Sequence, residues 1–335
     1  MQNYQSLIEG LKVDRAWFKD IKILVTGGAG FIGSWLCEVL VGFDSYVTCL
    51  DNFSTGRMEN IQHLLTKGNF RLINSDVVSA DLSGKYDIVV HGASIPNPDD
   101  YIRRPIEAML PNSLGLQRIL ERARIDDSIV LYLSSSEVYG DAELVPTPET
   151  YQGKVSLLGE RSYYDESKRF GEVLCRAYIS EYGLDIRIAR LFNTYGPRMD
   201  PEMKYARVIP RFIMQALKHE PITVHGDGEQ TRSFLYITDA ICALLKMIES
   251  KDAKREVMNL GSEEEVKIID LARMIKRMTG SKSPIIHKDA RKDDPRRRCP
   301  DIRKAKSLLK WEPRVSLEDG LIKMIEWFKG RVQHV

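Results

Sequence analysis

Charge of one sign is the first thing this sequence lacks. Its 335 residues carry 49 Lys and Arg against 47 Asp and Glu, a formal net charge of +2, so nothing in the balance argues for a nucleic-acid or membrane partner. Cysteine is sparse and scattered: Cys37, Cys49, Cys175, Cys242 and Cys299 form no C-x-x-C pair and join no His/Cys cluster. That pattern excludes a disulfide scaffold, argues against a zinc or other metal site, and leads to the expectation of reduced thiols in a cytoplasmic protein. Long apolar runs are missing too; none approaches the ~20 residues of a membrane span. Internal repeats and low-complexity segments are absent. Residues 1–20 are mixed and charged, unlike a signal peptide, and carry Leu7, Leu11, Trp17 and Phe18 at loosely helical spacing. A short helix outside the main core is expected there.

What is present is ordinary for a globular protein with a full core, 43% hydrophobic and 29% charged. Short apolar runs recur: Lys22–Thr26, Tyr46–Leu50 ending at Asp51, Arg71–Ile73 ending near Asp76, Ile88–Val90, Ile129–Leu133 and Ile186–Leu191. Helical patterns separate several of them. Such alternation implies an α/β fold, a Rossmann-type doubly wound parallel sheet whose active crevice lies beyond the carboxyl ends of the strands. After Gly196 shorter helices (Val208–Lys218, Asp239–Glu249, Ile268–Met278) mix with short strands such as Ile222–Val224. The expected organisation is an N-terminal extension (1–20), a dinucleotide-binding Rossmann domain (21–195) and a smaller C-terminal α/β substrate subdomain (196–335), with segments returning to the sheet. Lys251–Arg255 and Arg291–Arg298 are charge-rich and expected to be exposed loops.

Gly28-x-Gly30-x-x-Gly33 follows the first strand and opens a helix. Glycines there permit a tight turn and close approach of main chain to a pyrophosphate, with the helix N-terminus facing the negative charge. Asp51 ends the next strand 18 residues after Gly33. Its carboxylate can accept from ribose hydroxyls and would repel a 2′-phosphate, which favours NAD over NADP; Arg57, nearby, keeps NADP open. Asp76-Val77 is placed for the adenine edge and Ala93-Ser94 for the pyrophosphate and nicotinamide ribose. Downstream, Tyr164 precedes Lys168 by four residues, so on a helix the two share a face. In most proteins such a pair is mere surface. Behind a dinucleotide turn it suggests a tyrosine base whose proton affinity an ammonium lowers. His91, at a strand end, reads as structural.

Thr26–Gly33, Asp51-Asn52-Phe53, Ser136–Gly140, Tyr164-x-x-x-Lys168 and Asn193–Arg198 together resemble the extended short-chain dehydrogenase/reductase family, NAD-dependent epimerases, dehydratases and decarboxylases of nucleotide sugars. The resemblance spans nearly all of the chain after Lys22. Within the family, Gly159–Arg169, Gly226–Phe234, Asp293-Asp294-Pro295 with Pro300-Asp301-Ile302, and Trp311-Glu312-Pro313 are most similar to the UDP-glucuronate decarboxylase (UDP-xylose synthase) branch. It implies a cofactor site made of Gly27, Gly30, Phe31, Ile32, Gly33, Asp51, Asn52, Phe53, Ser54, Gly56, Asp76, Val77, Ala93, Ser94, Asn112, Tyr164 and Lys168. It implies catalysis by Tyr164, Lys168, Ser135, Ser136, Glu137 and Arg298, with Glu137, Asn193, Arg207, Arg232 and Arg298 at the substrate.

Residues 135–137 separate the reactions such enzymes perform. A 4,6-dehydratase resembling this chain uses an Asp-Glu pair to lose a hydroxyl; here the pair is Ser136-Glu137, and serine is too weak an acid. A 4-epimerase has no evident use for Glu137. In the decarboxylases the corresponding pair serves the stage after C4 oxidation, and Glu137 is expected to orient the substrate carboxylate or pass a proton through water. Decarboxylation of UDP-glucuronate to UDP-xylose is therefore the leading expectation, a 4-epimerase the first alternative, and a non-catalytic NAD sensor a remote one. Two departures stand out: Leu110-Pro111 replaces the Lys-Thr usual before the asparagine matching Asn112, and Met199–Ala206 looks longer than usual. Relatives dimerise through two long helices, expected here over Pro105–Arg124 and Tyr164–Tyr182. Leu114, Ile119, Leu120, Phe170, Leu174 and Tyr178 are candidates for that homodimer face or for packing on the sheet.

Overall fold

The computed structural model describes residues 12–199, 207–290 and 295–332. Its centre is a seven-stranded parallel sheet of β1 (Lys22–Thr26), β2 (Tyr46–Asp51), β3 (Phe70–Asn74), β4 (Ile88–His91), β5 (Ile129–Ser135), β6 (Ile186–Leu191) and β7 (Val257–Leu260). The order across the sheet is β7-β6-β5-β4-β1-β2-β3. Parallel strands are covered on both faces, which is why these segments read as unbroken apolar runs. Side chains alternate across the sheet. Ile23 and Val25 enter the core under helices α1 (Phe31–Gly42) and α4 (Ile237–Glu249), while Leu24 enters the one under α2 (Leu114–Asp126) and α3 (Ser162–Tyr182). The strand order reverses between β1 and β4, and a crevice opens there at the carboxyl ends.

Six strands lie where the apolar runs predict them. The seventh, β7, comes from the later half and pairs with β6 from Val257↔Ile188 to Leu260↔Leu191; four residues with an internal Asn259 carry too little pattern to be read as a strand. The helix expected over Pro105–Arg124 is broken. It runs Pro105–Met109, a 3-10 turn Leu110–Asn112, then α2. Pro111 has no N–H to give a helix and its ring crowds the preceding turn, and Ser113 leaves helical geometry at φ −118°, ψ −90°. The candidate dimer residues divide: Ile119, Leu120 and Tyr178 are buried in the core, Leu174 packs partly against it, and Leu114 and Phe170 are exposed.

The described end of the segment expected as an exposed loop, Arg297–Arg298, is a strand. Thr231–Ser233 pairs antiparallel with Glu265–Lys267 and parallel with Arg297–Arg298, and Arg298 is buried. Asp293 and Asp294 of the sequence motif lie outside the described residues, as do Leu7, Leu11 and most of Met199–Ala206. The helix expected before β1 exists as Arg15–Phe18, where Asp14 accepts from the N–H of Ala16 at 3.0 Å and Phe18 is buried. No helix among the described residues is long and apolar enough to cross a membrane.

Candidate active site

A cavity of about 720 Å³ lies over the carboxyl ends of the strands, lined by Gly27 after β1, Asp51 of β2, Ala93 after β4, Ser135 of β5 and Leu191 of β6. Its dinucleotide end is main chain. Gly27 sits at φ +69°, and a Cβ there would lie 2.8 Å from the backbone of Gly92 and Ala93. A Cβ on Gly33 would lie 2.1 Å from the Gly27 carbonyl oxygen, so the first turn of α1 can pack onto the loop only without a side chain. Gly28 does not face the cavity; it backs onto Cys49. The facing triplet is thus Gly27, Gly30 and Gly33, with Phe31 and Ile32 beside it, rather than the Gly28-x-Gly30-x-x-Gly33 register.

Asp51 accepts from the N–H groups of Ala29 and Phe53, each at 2.8 Å. Burial pushes its pKa up, and those N–H groups with that of Gly30 pull the other way. Asn52 donates to Asp76 at 2.7 Å, and Asp76 accepts from the N–H of Val78 at 2.8 Å. Asn52, Ser54, Asp76 and Val77 all line the wall. Phe53 and Gly56 do not: Phe53 packs against the core and Gly56 closes on the Asp51 carboxylate. A side-chain-free cradle with a carboxylate acceptor at the end of the second strand fits NAD.

Behind Ala93 and Ser94, which line the same wall, runs a buried tether. The N–H of Ala93 donates to Thr26 Oγ1 at 3.2 Å, Thr26 Oγ1 meets His91 Nδ1 at 2.9 Å, and His91 Nε2 meets the Pro111 carbonyl at 3.0 Å. A carbonyl only accepts, so Nε2 carries the ring proton and Nδ1 accepts from Thr26. Burial pulls the His91 pKa down to about 3, with the Lys168 charge acting the same way; His91 is a neutral strut, as its strand-end position suggests. Asn112 is buried and donates to Ser94 Oγ and Ser167 Oγ, both at 3.1 Å. It supports the wall from behind instead of meeting a cofactor.

At the other end Tyr164 stands on the first turn of α3, lines the cavity beside Ser135 and stacks on Tyr101 at a ring separation of 5.5 Å. Lys168, one turn on, donates to the Leu133 carbonyl at 2.8 Å and lies 5.9 Å from the Tyr164 ring centre. Burial pushes the Tyr164 phenol up to about 12, against the pull of Ser135 and Arg207. Burial lowers Lys168 to about 7, against the carboxylate of Glu172. Lys168 and the positive nicotinamide together are expected to bring the phenol toward working pH; among the protein's own groups, desolvation outweighs the pull of Ser135 and Arg207. Glu172 is held beneath by Ser134 at 2.5 Å and by Arg190 at 2.9 and 2.6 Å.

Ser135 Oγ also accepts from the N–H of Glu137 at 3.3 Å, capping the 3-10 turn Ser136–Tyr139. Glu137 is gripped by two guanidinium groups. Arg161 donates to Oε2 at 2.6 Å, and Arg298 donates to both oxygens, Oε2 at 2.9 Å. Burial alone would raise the Glu137 pKa; Arg298 and Arg161 outweigh it and hold it well below the usual carboxylate range. Glu137 is therefore a fixed anion without a proton of its own, which leaves it the expected roles of orienting the substrate carboxylate or of passing a proton through water. Ser136, Asn193, Arg207 and Arg232 line the cavity with them. Asn193 donates to the Ser233 carbonyl at 2.9 Å, Arg207 to that of Thr194 at 3.3 Å and Arg232 to that of Thr231 at 2.8 Å. Arg161 and the stacking Tyr101 were not among the expected site residues. Arg161 precedes Tyr164 by three, so one helical turn places both on one face, and that spacing was the available signal.

The model of the NAD dependent epimerase/dehydratase family matches residues 23–261. The chain is 44% identical over 313 residues to UDP-glucuronic acid decarboxylase 1 of Xenopus tropicalis, covering 93% of this chain and 73% of that one. It is 39% identical over 323 residues to UDP-glucuronic acid decarboxylase 6 of Arabidopsis thaliana, covering 96% and 93%. Among solved structures, UDP-glucuronic acid 4-epimerase from Bacillus cereus, in complex with UDP-glucuronic acid and NAD, superposes with a TM-score of 0.83 at 32% identity over 93% of this chain and 100% of that one. UDP-glucose 4-epimerase from Thermotoga maritima, with UDP-glucose, gives 0.85 at 31% identity over 92% and 99%. With its glycine cradle, its Tyr164/Lys168 pair and these likenesses, the chain belongs to the NAD-dependent epimerase/dehydratase family.

Proposed function

We propose that this protein converts UDP-glucuronate to UDP-xylose and CO₂. The observation that carries the reading is Glu137 held as an anion between Arg161 and Arg298 on the wall that Tyr164 and Ser135 share. One carboxylate between two guanidiniums leaves a positive charge suited to an acidic sugar, and identity to decarboxylases supports the same substrate. Bound NAD supplies the hydride acceptor, and afterwards the donor, at sugar C4. Tyr164, with Ser135 beside its oxygen, takes the C4 hydroxyl proton. The ketone so formed is β to the carboxylate, and CO₂ leaves as its bonding electrons pass into the C4 carbonyl. Tyr164 and Ser135 then donate to the enolate oxygen. Glu137, ionised, orients a water that gives C5 the proton replacing the lost carboxylate, and the hydroxide left behind takes up a proton from solvent.

The test is the purified protein with UDP-glucuronate and NAD. The expected product has lost CO₂ by mass spectrometry; a new isomer of unchanged mass would make it a 4-epimerase, the activity named for its structural neighbours. NAD binding without turnover of any UDP-sugar would make it a sensor. A homodimer belongs to the same proposal: Ile106, Met109, Leu114, Phe170 and Val173 are exposed apolar side chains on the helices around α2 and α3, and sedimentation should give twice the chain mass. Five unpaired cysteines, four of them buried, support a reducing, cytoplasmic setting, which fractionation of the source cells would check.

A further inference from the structure

Asp165 is a buried acid that the chemistry above leaves unused. It follows Tyr164 on α3, its N–H donates to the Arg161 carbonyl at 3.0 Å, and it is only 4% exposed. Its Oδ1 has no hydrogen-bond partner among the described residues. The charged and titratable groups around it come from every adjoining element: Glu137 from the 3-10 turn, Arg298 from the strand Arg297–Arg298, Tyr101 from the helix Pro98–Arg103, Arg161 at the N-cap of α3, and Tyr164 and Glu166 from α3 itself. Both guanidiniums are committed to Glu137. A second buried carboxylate beside the first, with an oxygen left unpartnered, is far cheaper to keep neutral than to ionise.

Charge counting gives that neutrality a consequence. Glu137, Arg161 and Arg298 together carry one net positive charge; an ionised Asp165 would cancel it. We propose that Asp165 is a specificity-determining positioning residue whose neutral form leaves the Glu137–Arg161–Arg298 cluster one uncompensated positive charge, so that the site prefers a sugar bearing a carboxylate over an uncharged one. The proposal rests on the UDP-glucuronate reading and deepens it. Burial, then Glu137, pushes the Asp165 pKa up to about 8, with Arg161 and Arg298 acting against them. The acidic-sugar preference is accordingly full below about pH 8 and is lost above it.

The experiment compares affinities for UDP-glucuronate and UDP-glucose by calorimetry, with NAD present, from about pH 6 to about pH 9.5. The Tyr164→Phe background prevents turnover. Taking the ratio cancels the titration of uracil and diphosphate, which both ligands share, and comparison with Asp165→Asn cancels that of Lys168. The expected ratio is flat at low pH and falls by up to roughly tenfold per pH unit above the Asp165 transition. Asp165→Asn, which cannot ionise, should lose the fall that begins at the Asp165 transition. A ratio that falls equally in both proteins, or is flat in both, overturns the proposal. Where Asp165→Asn does not fold, judged by NAD binding, Asp165→Ser makes the same comparison. Failure of the native protein to release CO₂ would sink the decarboxylase reading alone, because the ratio is read without turnover.

Discussion

At the dinucleotide end of the cavity, Gly27, Gly30 and Gly33 present main chain from one loop and one helix start. At the sugar end, Glu137, Arg161, Tyr164, Lys168 and Arg298 present side chains from a 3-10 turn, a long helix and a two-residue strand. The first end is local, and its carboxylates, Asp51 and Asp76, are held by hydrogen bonds from nearby main-chain N–H groups and Asn52. The second is assembled from afar, and its groups shift one another: Tyr164 up to about 12, Lys168 down to about 7, Asp165 up to about 8, Glu137 well below its ordinary range. A cofactor common to many reactions is held by shape, and the reaction is selected by charge.

That contrast can be broken from either side. The largest effect is expected from Tyr164→Phe, which removes the acid–base group and should cut turnover by about 10²–10⁴-fold with NAD affinity unchanged in a fluorescence titration. Equal loss of both would make Tyr164 a structural support. Next comes Arg298→Met, which leaves Glu137 buried with Arg161 alone. Removing one partner of a buried pair costs about 3–5 kcal/mol, so kcat/KM for UDP-glucuronate should collapse, again with NAD binding retained; a normal kcat/KM would show that the pair is not part of the sugar site. Gly33→Ala tests the other end: its Cβ meets the Gly27 carbonyl at 2.1 Å, and such overpacking costs about 1–3 kcal/mol. Weakened NAD binding and a lowered Tm are expected, and an unchanged NAD affinity would mean that the loop does not need its close approach.

Smaller effects concern pH and the rim. His91 has a folded pKa of about 3, depressed from 6.5 by burial. Its contribution to stability is therefore full above about 6.5 and is lost as pH falls toward 3. Thermal unfolding from pH 8 down to about 4 should show this acid limb, shallower in His91→Asn; an identical limb would place the titrating group elsewhere. Arg57→Ala removes an exposed pair with Glu59 at 3.4 Å and should change stability by less than about 1 kcal/mol. Gained NADP affinity in that variant would show that Arg57 does not favour the phosphate.

The dinucleotide end was legible because strand, glycine turn, helix start and Asp51 follow one another within a few dozen residues. The expected contacts Gly27, Gly30 and Gly33 line the cavity, and only Gly28 of the spacing motif turns away, with the Cys49 side chain behind it. Asn112, Phe53 and Gly56 read as cofactor contacts and turned out to be supports, since a sequence shows which residues attend a site but not which way they face. The helix that the resemblance implied over Pro105–Arg124 breaks at Pro111, a residue with no N–H to give a helix.

By itself the sequence determined what depends on local periodicity and short spacing: the parallel sheet, the glycine turn after β1, the carboxylate after β2, and the tyrosine and lysine on one helical face. The tertiary structure decided the state of those groups. Arg161 and Arg298 lie 24 and 161 residues from Glu137 in the chain, and only folding brings both guanidiniums onto one carboxylate. Burial, which no short segment encodes, then moves Tyr164, Lys168 and Asp165 away from their solution behaviour. Coulomb and desolvation energies depend on separation and dielectric in three dimensions, so the residue types were written in the chain and their protonation was not.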